Sequence, residues 1–279
     1  MIVVGVVAAV RAVAYRELIW FRRFIGEYIV AWIAPLVFTM AAILLPAAIS
    51  GTSMVSEKLS SILGVKVSFH DAIVYGIALS AILSLVAAVV NDIIQAIAGE
   101  VKFVGVMDTI LEAIGLRSYL TAVALVRPLA LTILSTLYLA PVLSIVLEPL
   151  KGLILYAMLL PGLVLSGIAL GGFALAIGVV VAFYTRISRP WIVPNTLVPA
   201  LLAGSGIYVP LSMVPLVLRV IALASPVPEA CELVKLVSLT GASPELASYM
   251  AIIAFLYTIY ISVSSILSRS SEWRLRRGG

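Results

Sequence analysis

The chain has 279 residues, 63% of them hydrophobic and 11% charged, with a mean hydropathy of +1.22. A soluble domain carries about 25% charged residues, so water is excluded as the main solvent of its surface. The net charge of +5 does not mark a nucleic-acid binder, because the basic residues flank apolar runs instead of forming a stripe. One cysteine, Cys231, and one histidine, His70, exclude an internal disulfide and multi-cysteine or histidine-rich metal chemistry.

A membrane span needs roughly 20 mostly apolar residues. Runs such as Ala78 to Val90 are continuously apolar, without the alternation of a β-barrel strand. The expected fold class is therefore an all-α membrane protein, one domain with six transmembrane helices.

The segment Met1 to Val10 is apolar for only ten residues and has no basic region before it. It resembles neither a cleavable signal peptide nor a full span, and is expected to stay in the mature chain. Residues 5–27 follow with Arg11, Arg16, Glu17, Trp20, Phe21, Arg22 and Arg23; at 100° per residue the four arginines fall within an arc of about 140°. That pattern predicts a helix at the cytoplasmic interface, with a simple basic flank to the first span as the alternative. The first span is expected at 28–50, kinked at Pro35 and Pro46. A polar loop, Gly51 to Asp71, leads to the second span at 72–91, which ends at Asp92.

A charged connection comes next, with Glu100, Lys102, Asp108, Glu112 and Arg117. The third span is expected at 128–147, because proline suits the first turn of a helix, and Arg127 then snorkels at the interface. The fourth, 153–184, contains Gly167, Gly171, Gly172 and Gly178, small residues that permit close packing. After the basic turn Arg186 to Arg189 comes a fifth apolar run, 191–209. Residues 207–235 hold Pro210, Pro215, Pro226 and Pro228, too many for one straight helix, and are read as a re-entrant pair of short helices dipping into the outer leaflet. The last span, 248–267, precedes a basic tail with Arg269, Arg274, Arg276 and Arg277.

With both termini cytoplasmic, 13 of the 18 basic residues lie inside. The positive-inside rule favours that orientation and places the connection between the second and third spans in the cytoplasm.

No GxxxxGK[ST] loop occurs, so the chain lacks a recognisable cradle for ATP phosphates. HExxH, GxSxG and paired mid-membrane carboxylates are also absent from the sequence. The spans hold almost no ionisable groups, which argues against a proton-coupled carrier, and Asp71 and Asp92 read as interfacial charges. In the cytoplasmic connection, Asp108 and Glu112 are four apart and share one helical face, with Ile110, Leu111 and Ile114 as apolar contacts. A helix over 105–115 could dock into a soluble partner; periodicity alone equally allows a solvated loop helix.

This stretch resembles permeases of the type-2 exporter class of ABC transporters, in which a glutamate after the second span is followed by a Gly-Thr-Leu-Glu-like motif on a coupling helix. Glu100 matches the glutamate, and Gly105 to Glu112 corresponds loosely to the motif, with Thr109, Leu111 and Glu112 as its closest members and Asp108 and Ile110 beside them on the expected coupling helix. Arg16-Glu17 followed by Trp20, Phe21, Arg22 and Arg23 is similar to the family's interface helix. Gly204 to Pro215, including Gly206, Tyr208 and Pro210, then Leu223 to Pro226, resembles its extracellular re-entrant helices.

The resemblance implies a multi-pass plasma-membrane subunit paired with a second, identical or related, membrane subunit. Each would rest its coupling helix on an ATP-binding-cassette subunit. No cofactor is expected in this chain: ATP and Mg belong to the partner, and hydrolysis with them. An ATP-independent transporter or channel is the rival reading, and a neighbouring gene for an ATPase would separate the two.

Overall fold

The structure, a computed structural model, describes residues 2–101, 112, 115–207, 211–241 and 243–278. It is all-helical, with no strand among the described residues. Among the described residues, five helices are long and apolar enough to cross a membrane by length and composition.

Helix α1 covers Ile2–Ser50 and is interrupted at Phe24, whose backbone leaves the helical region (φ −117°, ψ 23°). The interruption lies four residues before Tyr28, the expected start of the first span. The polar loop expected over 51–71 is partly helical instead. Helix α2, Thr52–Leu63, forms because Val55, Leu59 and Leu63 recur every four residues and pack on Ile43, Val67 and Ala72. Gly64 closes it in a left-handed conformation, its N–H donating to Ser60 O at 3.0 Å.

Helix α3, Phe69–Gly99, is longer than the expected 72–91 at both ends. Its start is set by a capping box: Ser68 Oγ accepts from Asp71 N at 3.1 Å, and Asp71 Oδ2 accepts from Ser68 N at 3.0 Å. Asp71 is thus a helix cap. At the other end the helix runs on through Asp92 to Gly99.

Helix α4, Leu116–Thr136, corrects the expectation that Pro128 opens the third span. The helix starts twelve residues earlier, after Gly115 in a left-handed conformation (φ +77°). Pro128 is accommodated inside it because its ring fills a notch at Gly171 of the facing helix, where a Cβ would lie 2.0 Å from Pro128 Cγ. After a turn at Leu137 and Tyr138, α5 (Leu139–Val146) completes an apolar stretch from Leu116 to Val146.

Helix α6, Pro149–Phe183, packs on α3, α4 and α5. The apolar windows of α3 and α6 are 83% and 67% buried, those of α1 and the last long helix 12% and 11%, so α3 and α6 form the centre of the bundle.

The fifth apolar run does not appear as a full-length span. Helix α7 covers Ile192–Gly204, 13 residues, or about 20 Å at 1.5 Å per residue, against a hydrocarbon core of about 30 Å. Pro199 lies within it. It doubles back on α8, Leu216–Leu223, in a contact so close that a Cβ at Gly204 would sit 2.2 Å from Leu218 O. The proline-rich segment is broken as its composition predicts: Pro215 and Pro226 are the N-caps of α8 and of α9, Val227–Lys235. Helix α8 turns Leu216, Val217 and Val220 outward, whereas α9 buries Val227, Ala230, Leu233 and Val234 against α3 and α6. Helix α10, Glu245–Gly278, packs along α6 and carries the basic tail as a continuation of the last apolar helix.

Candidate functional site

Three helices meet at one end of the bundle: the part of α1 before its interruption, the last turns of α3, and the first half of α4. Each brings charge into otherwise apolar surroundings, which requires a partner close at hand. Arg127 of α4, with its side chain only 10% exposed, takes Asp92 of α3 in a fork. Its Nε donates to Asp92 Oδ2 and its Nη2 to Asp92 Oδ1 at 3.0 Å. The same Nε stands 3.6 Å from Glu17 Oε1 of α1.

Glu17 Oε1 in turn lies 3.4 Å from Arg16 Nη2, so one carboxylate oxygen bridges two arginines. Arg16 Nη1 donates to Glu100 Oε1 at 2.7 Å and to Tyr119 Oη at 3.1 Å. The Tyr119 hydroxyl donates to Glu100 Oε2.

The cluster sets three carboxylates against two guanidinium groups, and every member is satisfied by another helix. It offers no nucleophile beside a base, and among the described residues no group of His, Cys, Asp or Glu could hold a metal ion. Its geometry is that of a tie between helices. Glu100 and Tyr119 stand at the two roots of the connection between α3 and α4, and their hydrogen bond joins those roots while Arg16 ties both to α1.

Of the residues singled out in the sequence, Arg16, Glu17 and Glu100 are brought together here. Arg22 and Arg23 are exposed and stand outside the cluster; the Arg23 guanidinium lies 5.5 Å over the Phe24 ring at the interruption. Glu112 is helical and exposed, while Gly105, Asp108, Thr109, Ile110 and Leu111 lie outside the described residues. Gly206, with φ +85°, turns the chain after α7, and Tyr208 and Pro210 are also outside the described residues.

Sequence reasoning missed Asp92, Tyr119 and Arg127. Their signal was present: an acid and a base, each embedded in an apolar run, call for each other as partners. Hydropathy ends the second span one residue before Asp92, and a helix that starts at Pro128 leaves Arg127 just outside the third.

A second polar group surrounds α9. Lys235 pairs with Glu232 one turn away, and the Tyr260 hydroxyl of α10 donates to Ala224 O. The Cys231 thiol is buried within α9.

No protein-family model matches this chain, and no curated protein matches it in sequence.

Proposed function

We propose that this chain is the membrane-spanning subunit of an ATP-binding-cassette exporter, forming the translocation pathway and leaving hydrolysis to a separate ATPase chain. The observation that carries the reading is the clamp at the roots of the α3–α4 connection. Glu100, Tyr119 and Arg16 tie that connection to three long helices at once. A force applied there by a soluble partner would move α1, α3 and α4 together instead of being lost in a loose loop. ATP and Mg would be held by that partner.

In this reading the plasma membrane is crossed six times, α7 and its flanking residues making the fifth crossing, with both termini in the cytoplasm. Helices α8 and α9 form the re-entrant pair, a role for which the outward Leu216, Val217 and Val220 of α8 provide a lipid-compatible face. A second membrane subunit, identical or related, completes the pathway.

The test is transport with a co-purifying ATPase subunit. Charge reversal at Asp108 or Glu112, or truncation of Ile110 to Ala, is expected to uncouple ATP hydrolysis from transport while leaving membrane insertion intact. Unchanged coupling in all three variants overturns the placement of the coupling helix. A chain that transports with no ATPase present is instead the ATP-independent transporter or channel.

A further inference from the structure

Between α1, α3 and α4 lies a cavity of about 420 Å³, next to the ion-pair cluster but lined mostly by other residues. The interruption of α1 at Phe24 and the in-helix proline Pro35 are both on its wall. The cavity opens outward, with Trp20 51% exposed and Glu27 exposed.

Its lining divides by chemistry. Pro35, Ala87, Ala88 and Leu131 make an apolar floor. Trp20, Phe24 and Tyr28 supply aromatic surface, the first two with ring centroids 4.9 Å apart. The charged groups in the wall are both carboxylates, Glu27 and Asp92. Asp92 is engaged by Arg127, whereas Glu27 has no ion-pair partner among the described residues. Arg23 already lies 5.5 Å over the Phe24 ring, so the faces left to a ligand are those of Trp20 and Tyr28. A carboxylate without an ion pair beside them attracts cations and repels anions, and the apolar lining suits a body that prefers to leave water.

We propose that this cavity binds an amphiphilic organic cation, its apolar body on Ala88 and Leu131 and its positive centre between Glu27 and the aromatic rings. The site needs no ATPase to be read. Its occupancy is measured on the membrane chain alone, so it stands or falls separately from the coupling proposal above.

The experiment uses the full-length chain in nanodiscs of phosphatidylglycerol, with radiolabelled tetraphenylphosphonium as probe and unlabelled tetraphenylborate, of the same shape and opposite charge, as competitor. Saturable binding of the cation without competition by the anion is expected. Glu27→Gln and Trp20→Ala should each weaken it about tenfold, the size of one lost charge or cation–π contact. Ala88→Phe, which fills the floor, should abolish it, with the size-exclusion profile serving as the check on folding. Equal affinity for cation and anion, or unchanged affinity in both Glu27→Gln and Trp20→Ala, overturns the proposal, since the probe is then only partitioning onto apolar surface. Nanodiscs containing phosphatidylethanolamine distinguish the natural source: displacement of the probe assigns the cation to a lipid head group, and retention assigns it to a soluble amphiphile.

Discussion

Arg127 shows what a single buried charge demands of its surroundings. Its guanidinium has lost nearly all water and is held by Asp92 on one side and Glu17 on the other. Removing one partner of a fully buried pair costs about 3–5 kcal/mol because the other charge is left uncompensated; here the Asp92 side chain is 35% exposed, so solvent screening brings the cost below that range. Arg127→Met is therefore expected to lower thermal stability in detergent. The double variant Arg127→Met/Asp92→Leu should lose less, because both charges leave together and Glu17 keeps Arg16 at 3.4 Å. Equal losses in the single and double variants would show that the fork is not what stabilises this end of the bundle.

Individual residues were legible to different degrees. The positions of Arg16, Glu17 and Glu100 could be singled out because they stand in charged segments that interrupt an apolar sequence. That they touch one another could not, since 84 residues separate Arg16 from Glu100 and a local pattern carries no distance between segments.

At the scale of elements, the contact between α4 and α6 determines where a helix can keep a proline. Pro128 inside α4 gives up a backbone hydrogen bond, yet its ring enters the space left by Gly171. The prediction is that Gly171→Leu forces the two helices apart and costs about 1–3 kcal/mol or more by overpacking. Gly99→Ala is expected to be neutral, because nothing lies within 4 Å of the Cβ it adds. Comparison of their apparent unfolding temperatures checks this; similar behaviour would mean that the notch is not tightly packed.

Hydropathy found the apolar runs, five of which hold helices long enough to span while the fifth in order, 191–209, holds only the 13-residue α7, and it misplaced their ends. A hydropathy window reads solvent preference, whereas α3 continues through Asp92 where that residue finds Arg127, and α4 continues through Pro128 where its ring finds Gly171. The helix hidden in the polar loop, α2, was readable from its Val55, Leu59, Leu63 spacing.

For the whole molecule, parity becomes an experiment. Five crossings by the five long helices would leave the termini on opposite sides, while a sixth crossing through α7 brings them to the same side. The basic tail of Arg269, Arg274, Arg276 and Arg277 favours the second arrangement. In a Cys231→Ala background, a cysteine added at Gly279 should react with an impermeant maleimide only after the cells are opened, as should one at Glu112. Labelling of the C-terminal cysteine in intact cells would leave five crossings and remove α7 from the count.

The sequence alone determined the solvent and the element type: with 63% hydrophobic and 11% charged residues, the backbone must satisfy its own hydrogen bonds, and continuous apolar runs do so as helices. Tertiary structure alone decided which helices are central, where the charges pair and where the cavity opens. Those depend on close approach between distant segments, at Gly171, at Arg127 and at the break in α1, and a one-dimensional pattern of hydropathy does not record which surfaces meet.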